Sequence, residues 1–154
     1  RGGAKLVHSV DSSAKAIDLT CKNVELNFPG DRRHEAFAED AFKYLDRMGD
    51  QYDLIILDPP AFAKHKNVLH NALQGYRKLN AKAFEKIKPG GILFTFSCSQ
   101  VVTKENFRLA VFSAAAQSKR RVRILHQLTQ PADHPVNIYH PEGEYLKGLV
   151  LYVE

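Results

Sequence analysis

The chain has 154 residues, a length that suits one domain and buries a core without disulfides or structural metals. It is 44% hydrophobic and 25% charged, with a net charge of +5 and a pI near 9.2, an ordinary globular composition with a mild pull toward polyanions. Its apolar runs are strand-sized, which excludes a transmembrane span, and Arg1–Ala4 offers no apolar core for a signal peptide. Cys21 and Cys98 are too far apart for a metal-ligand pattern and the seven His are scattered, so no metal site is expected. Free thiols fit a reducing compartment, which predicts a cytoplasmic location.

In chain order, Lys5 to Val10 reads as a strand ending at Asp11. Ser12 or Ser13 caps a helix whose buried face carries Ala14, Ile17, Cys21 and Val24, and Pro29-Gly30-Asp31 breaks it. A strand over 34–38 ends at Glu39-Asp40, and a short helix follows from Ala41 to Met48 with Phe42 and Leu45 inward. Tyr52 to Leu57 is apolar without alternation, as expected of a strand covered on both faces, and ends at Asp58-Pro59-Pro60. A loop rich in Lys and His leads to a helix over 69–87, carrying Tyr76, Leu79, Ala83 and Ile87 at helical spacing. Lys88-Pro89-Gly90-Gly91 turns the chain into a strand, Ile92 to Phe96, that ends at Ser97-Cys98-Ser99. Thr103 caps a helix burying Phe107, Ala110, Val111 and Ala114. Strands over 122–128 and 146–153 have no helix between them and are expected to pair antiparallel at an edge. Alternating strands and helices give an α/β fold with a mostly parallel sheet and helices on both faces.

Ligands in such sheets bind beyond the carboxyl ends of the strands, where this chain places Asp11, Asp40, Asp58 and Cys98. Asp11 suits the hydroxyls of a ribose, or a helix cap; Asp40 suits an adenine amino group, or again a cap. Two consecutive prolines make the turn after Asp58 rigid, which suits gripping a planar base or simply stiffens the turn. Cys98 stands between two serines beyond a buried strand, where flanking hydroxyls and a helix N-terminus would favour the nucleophilic thiolate. Cys21 is expected in the core. The cluster Lys119, Arg120, Arg121 and Arg123 reads either as phosphate contacts or as solvated charge.

Val10-Asp11-Ser12-Ser13, Leu57-Asp58-Pro59-Pro60-Ala61-Phe62, Gly75-Tyr76, Pro89-Gly90-Gly91, Phe96-Ser97-Cys98-Ser99, Ala132-Asp133-His134-Pro135 and Pro141 to Gly148 together resemble a known family. It is that of the class I, Rossmann-like S-adenosylmethionine-dependent methyltransferases, and within them the bacterial large-subunit ribosomal RNA cytosine-5 methyltransferases that carry an N-terminal PUA domain. The resemblance covers essentially the whole chain. It implies catalytic roles for Cys98, as nucleophile on cytosine C6, and for Asp58 at the N3 side of the ring. It implies cofactor contacts at Asp11, Ser12, Asp40, Ala41, Asp58 and Pro59, and target-base contacts at Pro60, Phe62 and Lys147. His134 and Lys147 stand as rim residues, and no proton-removing base is identifiable.

The family's first strand and Gly-rich loop would precede Gly2-Gly3-Ala4. Residues 1–154 are therefore expected to be a single, N-terminally truncated catalytic domain. The preceding strand would belong mid-sheet, between the strands at Leu6 and Leu54, and the chain would be inactive alone or completed by another chain. The implied partner is RNA, ribosomal RNA above all, with no membrane; the oligomeric state is left open, a homodimer included. Two rival readings remain: methylation of an exocyclic amine, which needs no cysteine, and a non-catalytic RNA-binding module that keeps the fold.

Overall fold

The computed structural model describes residues 2–49, 52–62, 65 and 68–154. Most of the Lys-rich stretch expected between Ala61 and Leu69 lies outside them. Contacts divide the chain into two compact units, 1–49 and 50–154.

In the first unit, strand β1 (Val7–Asp11) pairs in parallel with β2 (His34–Ala38). Helix α1 (Ala14–Asn27) connects them, and α2 (Ala41–Arg47) follows. Ser13 caps α1 by accepting from the Ala16 amide, and Asp40 caps α2 through the Phe42 and Lys43 amides. Cys21, expected in the core, is exposed. The inward stripe of α1 runs through Ile17, Thr20 and Val24, and Cys21 lies one residue, about 100° of helix, round from Thr20. The buried side chains of α2 are Tyr44 and Leu45, while Phe42 is half-buried. Tyr44 packs against Phe37 and hydrogen-bonds His8 Nδ1 at 2.5 Å.

In the second unit, β3 (Tyr52–Leu57), β4 (Ile87–Ser97), β5 (Val122–Leu128) and β6 (Lys147–Val153) form one sheet in the order β3-β4-β6-β5. β3 and β4 are parallel; β6 runs antiparallel to both β4 and β5, as expected of the last two strands. Helices α3 (Leu69–Lys86) and α4 (Lys104–Gln117) pack on each other. The buried core gathers Leu79, Phe84, Leu93, Phe107, Val111 and Leu151.

β3 lies at one end of the four-stranded order, with Leu57 buried and Leu54 and Ile56 50% and 62% exposed. One expectation is corrected in this unit. The helix before β4 stops at Lys86, and the Pro-Gly-Gly segment lies inside a long irregular strand instead of a separate turn. The pairing jumps from Tyr52↔Ile87 to Leu54↔Ile92, so β4 bulges. Gly90 takes a φ of +82°, and a Cβ on Gly91 would meet the Asp53 and Lys88 carbonyls at 3.1 and 2.9 Å.

Candidate functional site

In the first unit, β1 and β2 run side by side; β1 ends at Asp11, and Asp40 follows the end of β2 by two residues. Asp11 accepts from the Ser13 amide at 2.7 Å through Oδ1, and Asp40 uses Oδ1 for both α2 amides. The cap reading is realised for Asp40 alone; Asp11 instead closes a turn onto Ser13, which is the residue that caps α1. Each acid uses one carboxylate oxygen in these bonds, and both stand at the carboxyl ends of parallel strands, so the acceptors also fit the hydroxyls of a ribose and an adenine amine. Ser12 and Ala41 flank the two acids and are exposed.

In the second unit, a cleft of about 430 Å³ is lined by Asp58, Pro59, Pro60, Cys98, Gln130, Pro131, His134, Tyr145 and Leu146. The rigid turn after β3 and the loop after β4 thus meet in one pocket. The connection between β5 and β6 supplies the opposite wall.

Tyr76 fixes the first two of these loops. Its buried hydroxyl accepts from Ser97 Oγ at 2.9 Å and from the Phe62 backbone amide. Its ring contacts Phe62 at 4.7 Å and Phe107 at 5.3 Å between centroids. Burial pushes the Tyr76 phenol above its ordinary value, partly offset by the hydrogen bond from Ser97. One phenol thereby ties the loop after Asp58 to the end of the strand that carries Cys98.

The same contacts correct two expectations. Phe62 does not line the pocket; it packs inward on Tyr76 and on Gly75, where an added Cβ would sit 3.0 Å from its ring. The Ser97 hydroxyl serves Tyr76 rather than the thiol.

Lys147 is also not at the rim. It is 7% exposed, and its Nζ donates to the carbonyls of Ser99 and Tyr145 at 2.5 and 2.6 Å. Burial lowers its pKa, with the nearby Cys98 opposing that shift. An ammonium has three donors, and two are spent binding the backbone that follows Cys98 to the backbone of the pocket wall. The rim position came from the family resemblance; burial is unusual for Lys, and here the two carbonyls compensate it.

Gln130, Pro131, Tyr145 and Leu146 were missed from the sequence because the β5–β6 connection has no periodicity. It is held by a turn of 3-10 helix over Pro141–Gly143, by Gln130 Nε2 on the Gly143 carbonyl at 2.6 Å, and by Lys104 on Glu144 at 2.5 Å. The basic cluster after α4 is partly structural. Arg120 donates to the carbonyls of Phe84, Ile87 and Glu154, and Arg123 pairs with Glu154 at 2.7 Å. Among the described residues no group of His, Cys, Asp and Glu could hold a metal ion, and no helix is long and apolar enough to cross a membrane.

No protein-family model matches the chain. Curated relatives do: it is 43% identical over 155 residues to ribosomal RNA large subunit methyltransferase I of Cronobacter sakazakii and 44% identical over 154 residues to that of Tolumonas auensis. These alignments take in 99% and 98% of this chain but 39% of each relative. Among solved structures, the crystal structure of SMU.776, named as a methyltransferase and complexed with SAH, aligns with a TM-score of 0.83 at 26% identity. That alignment covers 98% of this chain and 40% of that one. The chain thus spans about two fifths of the length of the proteins it matches, and over that span it has their α/β, Rossmann-like methyltransferase fold.

Proposed function

We propose that the chain is the catalytic part of an S-adenosylmethionine-dependent RNA methyltransferase that methylates C5 of a cytosine in large-subunit ribosomal RNA. The single observation that carries this reading is the pocket in which Asp58, Pro59, Pro60 and Cys98 meet. The curated relatives, named for large-subunit ribosomal RNA methylation, support the substrate class. The family resemblance adds that the full-length protein carries a PUA domain and that residues 1–154 act as one catalytic domain.

In this reading the Cys98 thiolate adds to C6 of the base, which makes C5 electron-rich. Asp58 holds the N3 side of the ring, with Pro59 and Pro60 fixing its position. S-adenosylmethionine, when bound, supplies the methyl group to C5. By the resemblance, Asp11 and Ser12 would hold its ribose and Asp40 and Ala41 its adenine side, with Asp58 and Pro59 as further cofactor contacts. Loss of the C5 proton and departure of Cys98 complete the reaction.

The test is methyl transfer from labelled cofactor to ribosomal RNA by the full-length protein and by Cys98→Ala, with the product base identified. The expected outcome is 5-methylcytosine from the wild type and turnover lowered by at least about 1,000-fold in the variant, as for loss of a covalent nucleophile. Retained turnover with an N-methylated base would favour exocyclic-amine chemistry instead. Absence of cofactor binding by the full-length protein would favour a non-catalytic module.

A further inference from the structure

The cytosine-C5 reading leaves one proton without an acceptor. Four side chains of the pocket wall can hold or take a proton: Asp58, Cys98, His134 and Tyr145. Asp58 and Cys98 already have work in that reading, and of the remaining two the imidazole is the usual general base. We infer that His134, oriented by Tyr145, is the base that removes the C5 proton; this rests on the cytosine-C5 reading.

The geometry supports it in three ways. His134 Nε2 lies 3.0 Å from the Tyr145 hydroxyl, with the two rings edge to face. Its other ring nitrogen, Nδ1, makes no hydrogen bond to a described residue, and the ring is exposed at the pocket wall. A proton on Nε2 donated to Tyr145 Oη leaves the Nδ1 lone pair free, the arrangement a neutral imidazole needs to act as a base. Lys147 then fixes this pair relative to the nucleophile, since its ammonium binds the Tyr145 carbonyl and that of Ser99, the residue after Cys98.

The step balances as an elimination. Nδ1 takes the proton from C5, the C5–H electron pair becomes the C5=C6 double bond, and the C6–S bond breaks with its pair returning to the Cys98 thiolate. The imidazolium passes its proton to water.

The test uses the full-length protein with His134→Ala and Tyr145→Phe, RNA carrying cytosine tritiated at C5, and methyl-labelled cofactor. Tritium release and a denaturation-stable protein–RNA adduct are read separately. For His134→Ala, tritium release is expected to fall about 100-fold or more while a methyl-bearing adduct accumulates. Added imidazole is expected to restore release, and Tyr145→Phe to slow it more mildly. Wild-type release rates in His134→Ala, or loss of adduct formation in that variant, would overturn the proposal. If the wild type releases no tritium and Cys98→Ala still methylates, the cytosine-C5 reading itself fails, and His134 loses its role with it.

Discussion

At the scale of single residues, the pocket depends on groups that never touch a substrate. Gly148 faces Phe96 across the β4–β6 pair, and a Cβ there would lie 2.6 Å from the Phe96 ring and 3.0 Å from the Leu128 Cβ. Gly148→Ala is therefore expected to destabilise the protein by about 1–3 kcal/mol through overpacking, read as a lower denaturant midpoint. An unchanged midpoint would mean that Phe96 swings aside at no cost. Gly148 borders Lys147, so the strain would fall next to the residue that ties the Ser99 and Tyr145 backbones together.

At the scale of elements, the β5–β6 connection is the pocket wall least supported by the core. Its ion pair is open to solvent: Lys104 holds the Glu144 carboxyl below its ordinary value. A carboxylate so depressed adds stability above its unfolded value, 4.5, and loses it as pH falls through the lower folded value. Wild type and Glu144→Gln are thus expected to differ in stability at pH 7 and to converge in acid, in paired denaturation curves at the two pH values. A difference that persists at low pH would assign the effect to something other than this pair. The elements differed in how readily they could be read from sequence. Apolar runs stopped by Asp58 and Cys98 marked two strand ends, because burial forces the run and the ligand side ends it. The wall from Gln130 to Leu146 carried no such contrast.

At the scale of the whole molecule, the α/β alternation was legible because strand and helix periods differ. The bulge at 87–91 was not, since Pro-Gly-Gly signals a turn as readily as an irregular strand. Tyr76 gives the folded state a signature in alkali. Burial raises its pKa, so above pH 10 the native state keeps a proton that the unfolded chain gives up. Unfolding free energy is expected to fall as pH rises past 10, and Tyr76→Phe to remove that part of the slope. The same variant strips Ser97 of its acceptor and is expected to cost about 1–2 kcal/mol at neutral pH. An identical alkaline slope in both proteins would exclude Tyr76 as its source. Arg120 bears on any test of the proposed RNA contacts. A charge-neutralising scan across 119–123 would treat four cations alike, yet this one closes the end of α3 by satisfying the Phe84 and Ile87 carbonyls. Weak RNA binding after its removal would record a loosened helix end, whereas Lys119 and Arg121 can report on phosphates.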